Sequence, residues 1–225
     1  MPQPNPRRLL VEGDEDKRVI PEFMDSYVVW GEKKSDAAVL IKPFDGIERL
    51  LKLGAIEAEL NLADQDVLGI IVDADDRPDL RWAAVLRECR QFDPDFPAVL
   101  PSDGLIHVAP SGLRVGVWIM PDNEGAGMLE TFLGQLVPTN QDSLWAFAQR
   151  CRIEAEGQGA PFSESHRDKA DIHTYLAWLD PPGQQLHIAV LRKALDARTP
   201  LGLRFARWFV DLFGLTPRDA EGAGG

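Results

Sequence analysis

The sequence predicts an α/β protein, a mostly parallel sheet flanked by helices with a helical C-terminal extension, and three observations carry that prediction. Two stretches, residues 9–16 (LLVEGDED) and 68–76 (LGIIVDADD), are apolar runs that end abruptly in acidic residues. Neither run alternates polar with apolar, so each reads as a strand buried on both faces, the habit of parallel sheets covered by helices. Around them, short apolar runs alternate with amphipathic segments, the strand-then-helix order of an α/β sandwich.

Each element follows from local signals. Residues 8–11 are the first strand, Gly13 permits a tight turn, and Asp14 caps a helix with Lys17 at N3, so no full capping box is expected. Pro21 lies inside that helix and should kink or restart it. Residues 37–41 read as a second strand, and Asp45 then caps an amphipathic helix carrying Ile47, Leu50, Leu51, Ile56 and Leu60. The third strand delivers the Asp73 cluster, residues 77–91 make another helix, and FDPDFP is a breaker. Residues 105–108 and 114–120, separated by PSG, form a hairpin or two sheet strands.

Beyond Met120 the pattern turns helical. Helices are predicted over 127–136, from Asn140 or Asp142 to about residue 154, from Ser163 or Ser165 to the DPPG at 180–183, and over 186–195. The last begins at Thr199 with Pro200 in its first position and turns Leu203, Trp208, Leu212 and Phe213 to the core. The expected organisation is a disordered tail (1–7), an α/β domain (8–136), a helical region packed on it (137–215) and a second disordered tail (216–225).

Composition narrows the function classes. The chain has 225 residues, 44% of them hydrophobic, enough for one domain with a large appendage or for two small ones. No run is long enough to cross a bilayer, and the start, MPQPNPRR, lacks the apolar core of a signal peptide. Cys89 and Cys151 are too few for a disulfide framework. A cytoplasmic protein with no membrane association is expected. The net charge of −12 argues against the broad basic surface usual in nucleic-acid binding. Contact with nucleic acid would rest on metal bridging or on a local patch, for which Arg192, Lys193, Arg198, Arg204 and Arg207 are the candidates; a solvated helix face is the alternative. His107, His166, His173 and His187 show no zinc spacing with the cysteines. The aromatic residues over 205–213 recur at helical spacing, which points to core packing rather than base stacking.

The strand ends carry the chemistry. In parallel sheets ligands bind outside the carboxyl ends of the strands, where Glu12, Asp73 and Asp75 fall. In an extended segment Asp73 and Asp75, two apart, point the same way. Carboxylates packed together raise one another's pKa unless a cation neutralises them. Mg²⁺ suits such a site, because it takes oxygen ligands and completes its shell with water and substrate phosphate.

A strand ending in VEG with an aspartate soon after, followed much later by a strand ending in VDAD, resembles the Toprim domain of topoisomerases, bacterial primases and OLD-family nucleases. Residues 118–133 (WIMPDNEGAGMLETFL) and 166–196 (HRDKADIHTYLAWLDPPGQQLHIAVLRKALD) extend the resemblance to small stand-alone bacterial Toprim-like proteins. The resemblance implies metal binding by Glu12, Asp16, Asp73, Asp75 and Glu130, and a transition-state role for Lys169. It implies a Toprim-like, Rossmann-like fold, and a Mg²⁺- or Mn²⁺-dependent nuclease acting on DNA or RNA in phage defence or nucleic-acid repair. No GxxxxGK[ST] stretch is present, so coupling to ATP would need a separate ATPase or defence partner.

The residue set suits that chemistry. Phosphodiester hydrolysis needs an activated water and charge relief at the leaving oxygen, which two divalent ions about 3.5 to 4 Å apart supply. The five carboxylates suffice for two such sites, and Lys169 would offset charge at phosphorus, with Glu12 and Lys169 the catalytic pair. Blander roles compete. Asp14, Asp76 and Asp79 read better as caps or turn residues. Asp16 and Glu130 would also complement a helix dipole. Residues 122–124 (Asp122, Asn123, Glu124) are alternative ligands. Lys169 shares a helical stripe with Ile172 and Leu176, so it is either catalytic or a snorkelling lysine at the rim of an apolar face, with His173 one turn on. Two other function classes stand beside the nuclease. One is a non-catalytic Toprim-like sensor or partner subunit that binds metal or nucleotide. The other is a DxD glycosyltransferase or phosphatase, which leaves the VEG strand without a role.

Overall fold

The computed structural model of the chain describes residues 5–31, 36–60 and 66–218. Among these, five strands build one sheet: β1 (Arg7–Val11), β2 (Leu40–Pro43), β3 (Val67–Asp73), β4 (Leu105–Val108) and β5 (Arg114–Met120). Their order is β2-β1-β3-β5-β4. β1 pairs in parallel with β2 and β3, β3 pairs in parallel with β5, and β4 is the antiparallel hairpin partner of β5. The described helices are α1 (Asp14–Met24), α2 (Ile47–Leu50), α3 (Ala55–Leu60), α4 (Pro78–Phe92), α5 (Leu129–Gly134), α6 (Asp142–Gly157), α7 (Arg167–Leu176), α8 (Leu186–Leu191) and α9 (Pro200–Phe213). The protein is therefore α/β, with a mostly parallel Rossmann-like sheet flanked by helices and a helical C-terminal part.

Both faces of the sheet are covered, which is why β1 and β3 read as continuous apolar runs. Leu10, Leu68, Ile70, Val72, Val117 and Ile119 pack with Leu50, Ile56, Val85 and Cys89 of α2, α3 and α4. Leu9, Val11, Ile71, Trp118 and Met120 pack on the opposite side with α1, α5 and the C-terminal helices. α9 lies directly on this second face. Gly69 and Gly116 are paired partners on β3 and β5. A Cβ on Gly116 would sit 2.4 Å from Leu212 Cδ2, and one on Gly69 would sit 2.7 Å from Phe213 Cζ. The two glycines leave a flat notch in the sheet that α9 fills.

Several local expectations are corrected by the structure. Gly13, in ordinary extended backbone, is the N-cap of α1, with Asp14 at N1. Asp16 then stands at N3, and its Oδ2 accepts the Gly13 amide at 3.0 Å, half of a capping box. α1 runs unbroken through Pro21, because the carbonyl that loses its partner belongs to Lys17 on the exposed side. β2 lies at residues 40–43 rather than 37–41. Asp45 does not cap the next helix: Gly46 does, and the single expected helix is two, broken before Ala55, where Gly54 has φ +78°. α5 starts later than expected, since Gly127 (φ +135°) is committed to a bridge with Asp75. Leu203 is 44% exposed. It lies two residues from both Leu201 and Phe205, roughly 200° around α9 from each, so it faces away from the core.

Parts of the expected tails, 1–7 and 216–225, are tied into the fold. Asn5 Nδ2 donates to the Ala37 carbonyl at 2.7 Å, and the Pro6 carbonyl accepts from Asp66 and Val67. At the other end Pro217 bridges Val28, and Arg218 pairs with Asp25 at 2.6 Å. The remainder of both expected tails, residues 1–4 and 219–225, lies outside the described residues. Among the described residues no helix is long and apolar enough to cross a membrane.

Candidate functional site

β1 and β3 are neighbours in register, Leu10 opposite Ile70, so Glu12 emerges beside the end of β3. Glu12 Oε1 accepts the Asp73 amide at 2.7 Å. Asp73 Oδ1 in turn accepts the amide of Leu129, the first residue of α5, at 3.0 Å. The next residue, Glu130, is 5% exposed, and its Oε1 meets Lys169 Nζ of α7 at 2.9 Å. Asp75 is exposed by about half and forms an ion pair with Arg81 of α4. Its backbone, at φ +51°, exchanges both hydrogen bonds with Gly127 at 2.9 and 2.7 Å. The chain has thus left the extended conformation at Asp75, and Asp73 and Asp75 do not share one direction as expected: Asp73 turns in toward α5 and Asp75 turns out toward α4. Even so, Glu12, Asp16, Asp73, Asp75, Glu130 and Lys169, drawn from four separate parts of the sequence, meet at the carboxyl edge of the sheet.

The cluster is electrostatically frustrated. Burial, followed by the charges of Asp16 and Asp75, outweighs the Asp73 amide and Arg81 and raises Glu12 from its ordinary 4.5 to about 7. Burial, with the Glu130 charge, raises Asp16 from 3.8 to about 6 against the help of the Gly13 amide. Asp73 is pushed well above 3.8 by burial and then by Asp16, Glu12, Glu130 and Asp75. Lys169 moves the other way: burial would lower it, but the hydrogen bond and charge of Glu130 prevail and raise it. The five carboxylates outnumber the two cations in contact with them, Arg81 and Lys169.

That donor set fits a hard divalent ion. All candidate ligands are carboxylate oxygens, and burial together with mutual repulsion raises the proton affinities of Glu12, Asp16 and Asp73, a cost that such an ion would relieve. Among the described residues no group of three or more His, Cys, Asp or Glu closes around one point as it stands. Glu12, Asp16 and Asp73 each commit one oxygen to a backbone amide, Asp75 to Arg81 and Glu130 to Lys169. An ion that keeps most of its water shell needs only one or two of the remaining oxygens.

Other candidates fall elsewhere. The loop proposed as an alternative ligand set is occupied with its own structure: Asn123 is buried, accepting the Ile119 amide at 2.7 Å and donating to the Ser102 carbonyl at 3.0 Å. Asp122 accepts the amides of Glu124 and Gly125. Asp79 pairs with Arg77 at the surface, in keeping with a turn role. Lys169 is 47% exposed at the rim of α7, and His173 is exposed. Of the basic residues, Arg192 and Lys193 follow the last residue of α8, Arg198 precedes α9, and Arg204 turns back to the Asp122 carbonyl at 3.4 Å. His107 is bound to Asp93 at 2.7 Å.

Three residues of the site were not singled out by sequence reasoning. Arg81 is mostly buried, holds Asp75, and keeps a buried Nε without a partner; its position in the first turns of the helix after β3 was the available signal. Thr131 accepts the Met128 amide at 2.9 Å and donates to Asp168. That contact ties α5 to α7 and has no local signature. Two cavities flank the cluster, one of about 230 Å³ opening beside Asp75 and Asp76, one of about 160 Å³ beside Glu130, and Asp168 lines both.

No curated protein and no solved structure matches the chain. The family described as "Protein of unknown function (DUF3226)" matches residues 6–214, a span that contains β1, β3, α5 and α7 and with them every residue of the acidic cluster. The chain belongs to the DUF3226 family.

Proposed function

We propose that the protein is a Mg²⁺-dependent nuclease, or a related phosphotransfer enzyme, with a Toprim-type acidic site. One observation carries the reading: five carboxylates from the ends of β1 and β3, from α1 and from α5 gather with Lys169 at the ligand-binding edge of a parallel sheet. Mg²⁺ or Mn²⁺ in reach of Glu12, Asp16, Asp73, Asp75 and Glu130 would supply a bound water of lowered pKa and charge relief on the leaving oxygen. Glu12, at the end of β1, is placed to take the proton of an attacking water. That water forms a new bond to phosphorus as the bond to the leaving oxygen breaks, and the leaving oxygen takes up a proton. Lys169, about half exposed beside Glu130, is the donor for the phosphoryl oxygens. We place this activity on DNA or RNA in the cytoplasm, in phage defence or repair, with any ATPase on a separate chain.

The test is cleavage of supercoiled, linear and single-stranded DNA and of RNA by metal-stripped protein resupplied with Mg²⁺ or Mn²⁺, beside Asp73→Asn. Cutting that needs metal and disappears in the variant supports the reading. A second reading, a metal- or nucleotide-binding subunit that does not cut, is favoured by the engagement of all five carboxylates in internal hydrogen bonds or ion pairs. Ion binding without cutting by the wild type would favour it.

A further inference from the structure

The cavity of about 160 Å³ between α5 and α6 has a composition that the acidic cluster does not explain. Trp145 forms one wall. Gln135 and Gln149 border the space, and neither side chain has a hydrogen-bond partner among the described residues. Glu130 and Asp168 stand at the side nearest the cluster.

We infer that this cavity is a binding pocket for an unpaired nucleobase whose phosphate lies at the acidic centre; the inference rests on the nuclease reading and names its substrate class. Size is the first argument. Pockets that enclose whole drug-sized ligands begin at roughly 300 Å³, so this one suits a planar ring and not an entire nucleotide. Chemistry is the second. An indole offers a surface for stacking, and each glutamine amide carries both a donor and an acceptor, which lets the pair meet the mixed hydrogen-bonding edge of a base. Charge is the third. With Glu130 and Asp168 in its lining the cavity repels phosphate, so only the neutral part of a nucleotide belongs inside it. Location is the fourth, because Glu130 lines the cavity and also holds Lys169 at 2.9 Å, which puts the base next to the groups proposed to act on phosphorus.

The pocket is built rather than incidental. Trp145 is held edge-on by the Tyr175 ring, with centroids 5.8 Å apart at 88°. The Tyr175 hydroxyl donates to Gln141 Oε1 at 3.0 Å. Opposite, Gly134 lets the indole approach, since a Cβ there would lie 2.9 Å from Trp145 Cζ2. The floor is fixed by Thr131, bonded to both Asp168 and the Met128 amide. In a duplex the bases are stacked and paired, so only a single-stranded, flipped or free nucleotide can enter.

The test is tryptophan fluorescence of the whole protein in Ca²⁺, titrated with nucleoside monophosphates, a short single-stranded oligonucleotide and the matching duplex. Quenching by the monophosphates and the single strand is expected in the wild type and not in Trp145→Phe. Gln149→Leu, and the exposed Gln135→Leu, which is the less able to disturb folding, should each weaken binding by about three- to ten-fold. Duplex should bind at least about ten-fold more weakly than single strand. A monophosphate that the oligonucleotide fails to displace would identify a free nucleotide as the source of the base, and displacement at lower concentration would identify a strand. Equal binding of duplex and single strand, or wild-type binding by both glutamine variants, overturns the pocket. Base-dependent quenching without any metal-dependent cleavage would remove the nuclease reading alone, and cleavage without base-dependent quenching would remove the pocket alone.

Discussion

Glu12 Oε1 accepts the backbone amide of Asp73 at 2.7 Å, so a candidate catalytic carboxylate also ties the end of β1 to the end of β3. The side chain of Asp73 continues the connection to the Leu129 amide at the start of α5. Positioning and chemistry are therefore separable only by substitutions that keep the acceptor.

Glu12→Gln keeps an oxygen for the Asp73 amide but loses the charge. In metal-stripped protein it should match wild type at pH 4 and be more stable by up to about 3 kcal/mol near pH 7, because the neutral amide escapes the cost of a buried charge, while divalent-ion affinity falls at least about ten-fold by titration calorimetry. Glu12→Ala leaves a buried amide unsatisfied and should cost about 1–3 kcal/mol in urea unfolding. Wild-type ion affinity in Glu12→Gln would exclude Glu12 as a ligand.

The raised carboxylates set the pH dependence of the metal-stripped protein. Glu12 binds its proton more tightly folded than unfolded, so between its unfolded 4.5 and its folded value of about 7 the native state holds more protons and stability falls as pH rises. Asp16, raised to about 6, and Asp73 act in the same direction. The loss from Glu12 alone is on the order of 3 kcal/mol. Added Mg²⁺ should flatten the slope and stabilise more at pH 8 than at pH 5. Urea unfolding in chelator that becomes harder from pH 5 to pH 7 would contradict the crowding.

Lys169→Met removes the cation beside Glu130 and keeps the aliphatic stem. Single-turnover cleavage should drop by about a hundred-fold or more, with ion affinity unchanged or higher because Glu130 is released. Equal loss of ion binding and cleavage would instead mean that Lys169 only holds the site together.

Gly116→Ala would drive a methyl to 2.4 Å from Leu212 and force α9 off the sheet. A loss of about 1–3 kcal/mol is expected by thermal or urea unfolding. Gly157→Ala, at the end of α6 with nothing within 4 Å of the new methyl, is the control and should be neutral or slightly stabilising. Equal effects of the two substitutions would show that α9 does not seat in the notch.

Local pattern determined the strands and the acidic residues that end them. β1, β3 and β5 are legible because strands covered on both faces must be apolar throughout, and Glu12 and Asp73 are legible because such a run has to end where the chain leaves the core. α9 is legible for the same kind of reason, with Thr199 accepting the Gly202 amide at one end and Gly214 in the left-handed conformation at the other. Leu203 was misassigned because an apolar residue does not by itself tell which face of a helix it occupies. What the tertiary structure alone decided is which distant segments meet. The order β2-β1-β3-β5-β4 puts Glu12 beside Asp73. The packing of α5 against α7 makes Glu130 the partner of Lys169 and Thr131 the partner of Asp168, 39 and 37 residues apart. No periodicity in the chain records such contacts, because they are fixed by how whole elements pack and not by the conformational preferences of neighbouring residues.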